Sequence, residues 1–204
     1  MAALAERRKE LLDSMMKEAV YEGAVAVMTQ HGLSGTTMDR VAAAAGMAKG
    51  SLYNQFRSKQ ELLEFVHDRA ITPIREAVNE FLEMPISASE KLASISRRWR
   101  EYLVNQHAVL EFLIKDPSAK RQLRDADQSA RAWGIQKIAA IIEQGIREGT
   151  FRRVDSVAVS EMFVAAAVGM AEQEIATGKT RPVQEAVDAL MGVFLHGLAA
   201  EERK

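Results

Sequence analysis

The 204-residue sequence predicts an all-α protein. Three observations carry that expectation. Apolar residues recur at three- and four-residue spacing along almost every segment, and no alternating, period-two run appears. Helix punctuation is dense, with Thr, Ser or Asp before the apolar runs and Gly after several of them. The apolar share, 48%, suffices for a sizeable core in one large domain or in a small domain joined to a larger one.

The elements follow in order. A first helix is lined by Leu11, Met15, Ala19, Ala26, Val27 and Met28, and Gly32 ends it. Thr36 and Thr37 offer a cap for a second helix over 38–45, which Gly46 stops. A short third helix covers 48–56. Ser58 followed by Glu61 is a capping-box pattern that opens a long helix running to about Glu83. Pro73 falls inside that helix and is expected to kink it. Pro85 and Pro117 mark further helix boundaries. Asp155 caps a helix through Met162, Phe163, Ala166 and Met170. Pro182 precedes an amphipathic last helix with Val183, Ala186, Val187, Leu190, Val193, Phe194 and Leu198 on one side.

Composition excludes several function classes. There is no cysteine, so disulfides, thiol redox chemistry, cysteine nucleophiles and cysteine–zinc sites are ruled out. The start, MAALAERRKELL, lacks the apolar stretch of a signal peptide. No apolar run reaches the roughly 18 residues that span a bilayer, and the one through residues 163–171 is about half that length. A soluble, cytoplasmic protein with no membrane partner is expected. Net charge is only −1, yet residues 1–60 hold eight Lys/Arg against six Asp/Glu, a mild basic bias.

Catalysis finds no motif. Neither GxSxG, HExxH, a phosphate loop nor a dinucleotide fingerprint occurs, and Glu111, Asp116, Glu143 and Glu172 are scattered carboxylates. His67, His107 and His196 lack a second His or Cys at helical spacing, so no metal site and no cofactor are expected. His31 beside Gly32 reads as a cation complementing a helix end. The protein is expected not to be an enzyme.

One stretch carries a specific mechanism. Residues 47–62 read MAKGSLYNQFRSKQEL, a short helix with Leu52 and Phe56 at its back and polar residues in front. Together with 38–45 and the turn at Gly46-Met47 it forms a helix-turn-helix pattern, in which the second helix lies in a DNA major groove. Val41, Ala42 and Ala45 pack against Leu52 and Phe56. The exposed arc then carries Lys49, Ser51, Tyr53, Asn54 and Gln55. Asn and Gln amides pair with adenine edges, and Lys reaches guanine or phosphate. The Tyr53 hydroxyl and Lys59 ammonium suit phosphate oxygens, and Gly50 lets backbone approach DNA closely. Arg7, Arg8 and Lys9 could add contacts from the first helix or an arm. An ordinary solvated surface helix is the competing reading of the same charges.

The spacing Gly32, Thr36-Thr37, Val41-Ala42, Ala45-Gly46-Met47, Lys49-Gly50-Ser51-Leu52-Tyr53, Phe56, Ser58-Lys59 and Leu62-Leu63 resembles the DNA-binding domain of the tetracycline-repressor (TetR) family. The close resemblance spans about residues 11–66. A second segment, from Glu143 through Gly145, Glu148-Gly149 and Phe151-Arg152 to Asp155, is similar to the turn before the last two helices of many members. The resemblance implies a three-helix DNA-binding domain at 1–58 and a larger helical effector-binding and dimerisation domain at 59–204. It implies a homodimer through the two C-terminal helices, on double-stranded operator DNA, released by a small-molecule effector. By that resemblance Thr37, Tyr53 and Lys59 touch phosphates, while Lys49, Gly50, Ser51 and Asn54, with Gln55, lie nearest the bases. Two departures stand out: Ala48 replaces a capping Ser or Thr, and Asn54-Gln55 replaces a His-aromatic pair.

An apolar or amphipathic effector is expected from the family's habit. Trp99, Tyr102, Phe112, Trp133, Met162, Phe163 and Met170 are candidates for its pocket, though plain core packing accounts for the same residues. The alternative reading is a helical protein-interaction module that kept the scaffold without specific DNA binding. Its docking face would be more apolar than the arc of 49–55.

Overall fold

The structure, a computed structural model, describes residues 2–198. The side chains of His107 and Leu198, both named above, lie outside the described residues. Ten helices run through those residues and no strand does: α1 (Ala2–Gly35), α2 (Met38–Ala44), α3 (Lys49–Gln55), α4 (Lys59–Glu83), α5 (Ala88–Asn105), α6 (His107–Lys115), α7 (Pro117–Gln122), α8 (Arg124–Glu148), α9 (Ser156–Thr177) and α10 (Val183–Leu198).

The chain divides into two compact units. The first takes the chain up to Ala70 together with Ala108–Arg124, and the second takes Ile71–His107 and the chain from Asp125 onward. The division falls inside α4 rather than before it, because Leu62, Leu63, Val66 and Ala70 are fully buried within the first unit.

In the first unit the buried face of α1 begins at Val20 and continues through Ala24, Val27 and Met28. Leu11 and Met15, expected on that face, are 62% and 61% exposed. Helical periodicity is present there, but among the described residues nothing buries Leu4, Leu11, Leu12 or Met15. Gly32 takes φ 65°, a left-handed value that glycine adopts without steric cost, and breaks the helical path as its position suggests. Thr37 caps α2 by accepting the Arg40 N–H at 3.2 Å, and Gly46, also at φ 65°, follows its end. The Ser58 hydroxyl accepts the Glu61 N–H at 3.1 Å, while the Glu61 carboxylate reaches back one residue further, to the Arg57 N–H at 2.7 Å.

The second unit is built on a core of Val78, Leu92, Ile95, Ile138, Ile141, Ile142, Phe163, Val187, Leu190 and Met191 from α4, α5, α8, α9 and α10. Burial of such aliphatic side chains stabilises by roughly 1.5–3 kcal/mol each. Ser87 and Glu90 form a complete capping box at the start of α5, and Asp155 caps α9 through the N–H groups of Val157 and Ala158. Pro73 sits within α4, which continues to Glu83. Between α8 and α9 the Phe151 ring folds onto Gly145, where a Cβ would stand 2.2 Å from the ring.

Candidate nucleic-acid interface

The approach to the helix-turn-helix is held by a nearly complete set of partners for the end of α1. The Thr36 hydroxyl donates to the Gly32 carbonyl at 2.7 Å, Arg40 to that of Gly35 at 2.6 Å, and the Lys59 ammonium to that of Leu33. The Leu33 N–H is taken by the Asp116 carboxylate at 3.1 Å, and that carboxylate also caps α7 through Ser118 and Ala119. These bonds answer the orphan backbone groups of a helix terminus, so α2 leaves α1 at a fixed angle. Burial alone would raise the Asp116 pKa. The N–H bonds from Leu33, Ala119 and Ser118, with the charge of Arg121, outweigh it and hold the carboxyl below its usual range.

Behind the two short helices Val41, Ala42, Leu52 and Phe56 are buried, as their spacing requires, and Phe56 meets Phe65 of α4 at 5.0 Å between ring centroids. Ala48 supplies no side-chain cap to α3. The front of α3 exposes Lys49, Gly50, Ser51, Tyr53 and Asn54, and Thr37 is exposed at the start of α2. The Thr37 hydroxyl accepts a bond from Arg40, which leaves its proton to donate outward.

Lys49, Lys59 and Gln55, also expected contact residues, have intramolecular partners as well. Lys49 pairs with Asp39 at 2.8 Å and stands 5.8 Å over the Tyr53 ring. The hydrogen bond and charge of Asp39 raise the Lys49 pKa, so its ammonium stays charged. Lys59 is half-buried at the end of α1. Gln55 is half-buried, with its amide nitrogen 4.0 Å from the Met16 sulfur, so it faces α1. Sequence spacing carried no signal for Asp39, ten residues before its partner, or for Asp116, which reaches Leu33 across 83 residues of chain.

The comparisons with known proteins fall on this unit first. Residues 20–66 match the family model described as bacterial regulatory proteins, tetR family. A relative, the transcriptional repressor KstR2 of Mycolicibacterium smegmatis, is 29% identical over 72% of this chain and 69% of its own. Residues 20–66 are a TetR-family DNA-binding segment. The fatty acid metabolism regulator protein of Bacillus subtilis is 21% identical over 65% of this chain and 69% of its own. Among solved structures, a TetR-family regulator from Pectobacterium atrosepticum matches with a TM-score of 0.72 at 20% identity, covering 96% of this chain and 99% of that one. That likeness extends the TetR fold over both units.

The expected pocket residues fall in both units and differ in exposure. Phe112 is buried on α6 of the first unit, and the other six belong to the second. Met162 is 62% exposed on α9. Phe163 is core, edge-on to Phe194 at 5.0 Å, and Trp133 and Met170 pack on the same core. Trp99 and Tyr102 are half-buried on α5. Aromatic and Met content could not separate core from pocket, because both demand the same apolar side chains. A small cleft lies between the ends of α5 and α9, lined by Arg100, Leu103, Val104, Ala171, Glu174, Ile175 and Thr180. Among the described residues, no helix is long and apolar enough to cross a membrane.

Proposed function

We propose that the chain is a ligand-responsive transcriptional repressor that binds a palindromic operator as a homodimer, in the cytoplasm. The observation that carries this reading is the arc of α3. It presents Lys49, Gly50, Ser51, Tyr53 and Asn54 to solvent, and a Cβ added at Gly50 would meet nothing within 4 Å. The fold therefore does not need glycine there, although glycine in a helix costs about 1 kcal/mol relative to Ala. Close approach to an outside surface accounts for it.

In this reading Thr37 and Tyr53 hold phosphates, Lys49, Ser51 and Asn54 face the base edges, and Lys59 braces α1 while its remaining N–H groups serve the backbone. Gln55 orients α3 against Met16 rather than reading a base. Two such helices about 34 Å apart read successive major grooves. Exposed Val157 and Met162 on α9 and Val193 on α10, beside open Gly169 and Gly192, support a partner copy seated on these helices. An apolar or amphipathic effector in the second unit is supported by the relative named as a fatty acid metabolism regulator. Its leverage is its differential affinity for two states, about 1–3 kcal/mol.

The test is selection from random duplex DNA with wild type, Tyr53→Ala and Asn54→Ala, followed by salt titration. An enriched palindrome, weakened in both variants and by salt, is the expected result. No enrichment at low salt from folded protein would favour an interaction module.

A further inference from the structure

We infer that Asp39 is a specificity-determining residue of the reading surface, restraining Lys49 from generic attraction to the DNA backbone. The inference rests on the DNA-binding reading above. Asp39 lies in the first turn of α2, two residues after the capping Thr37, and its carboxylate meets the Lys49 ammonium of α3 at 2.8 Å. The two side chains are 59% and 61% exposed, so the pair is solvent-screened and readily exchanged. Lys49 also stands over the exposed ring of Tyr53. The carboxylate thus sits at the rim of the surface that would face DNA.

Its chemistry treats the two parts of DNA differently. Phosphate oxygens are acceptors carrying negative charge, and they drive sequence-independent binding by counterion release. A carboxylate has no favourable bond to offer them, and it cancels the adjacent lysine. Base edges do offer it something. Lysine bonds guanine O6 and N7, while a carboxylate accepts from the cytosine amino group. Exchange of the Asp39–Lys49 pair for DNA partners is therefore compensated in the groove and uncompensated on the backbone. Asp39 weakens binding everywhere and least at the right sequence.

The experiment measures affinity for a mixed-sequence duplex, and for the duplex won by selection, across a salt series. Wild type, Asp39→Asn, Asp39→Glu, Lys49→Ala and the Asp39→Asn/Lys49→Ala double variant are compared, each checked for folding by thermal unfolding. Asp39→Asn should bind mixed DNA about five- to tenfold more tightly at 0.1 M salt, with a log–log salt slope steeper by about 0.9, and with a smaller specificity ratio. Asp39→Glu should behave as wild type, and Asp39→Asn should have little effect once Lys49 is Ala. Unchanged affinity for mixed DNA in Asp39→Asn, or the same gain with and without Lys49, would overturn the inference while leaving a DNA-binding wild type intact. A wild type that binds no duplex overturns both readings.

Discussion

Arg100 of α5 and Glu174 of α9 form an ion pair at 2.9 Å with only 5% and 9% of their side chains exposed. Arg100 also donates to the Arg181 carbonyl at 3.1 Å, while its Nε and the second oxygen of Glu174 find no partner among the described residues. Removing one member leaves a buried charge uncompensated, at a cost of about 3–5 kcal/mol. Glu174→Gln and Arg100→Met should each lower the free energy of denaturant unfolding by amounts of that order. Arg100→Met combined with Glu174→Leu should cost far less than the sum. Additive losses would show that the two charges act independently.

Gly50→Ala separates folding from binding. With open space around the position, the variant should be as stable as wild type or more so, by up to about 1 kcal/mol. Operator affinity should nevertheless fall. A stable variant with wild-type affinity would show that no outside surface approaches α3 at this point.

Gly145→Ala tests the turn between α8 and α9. The new methyl would press on Phe151, and overpacking of this kind costs about 1–3 kcal/mol. Phe151→Leu should be destabilising alone yet recover part of the loss in the double variant, as a cycle of thermal unfolding measurements can show.

Acid should loosen the first unit through Asp116. Its folded pKa lies below its unfolded value, so its contribution is present above about pH 4 and is lost as pH falls through the folded pKa. Asp116→Asn should cost about 1 kcal/mol at neutral pH, because its amide oxygen can still cap α7 while its NH2 cannot accept the Leu33 N–H. It should also flatten the decline of stability in acid. An equally steep decline in the variant would place the acid sensitivity elsewhere.

Much of this was legible in the sequence. Gly32, Thr37, Gly46 and Asp155 end or cap helices for reasons local to the chain, and Leu52 and Phe56 are buried because the short helix has only one apolar side. The front of α3 follows from that burial. What spacing could not supply were relations between elements. Leu11 and Met15 have helical period, but whether anything covers them is decided by α2 and α3 packing elsewhere. Lys49, Gln55 and Lys59 each look like outward polar residues, and their partners Asp39, Met16 and the Leu33 carbonyl lie ten or more residues away. Phe112 has the composition of a pocket residue and is assigned to the first unit only by the fold.

The bond from the Leu33 N–H to Asp116 has a bearing on biosynthesis. The ribosome releases α1 to α4 well before residues 108–124 appear, so the amide at the end of α1 must wait for its acceptor. At ordinary rates of translation that interval is on the order of seconds. A nascent chain halted within α5 would carry both short helices with the junction beneath them unfinished. Competence to read DNA would thus wait for residues 108–124, after the Ile71–His107 part of the second unit has been translated and before its larger part, from Asp125 onward, has.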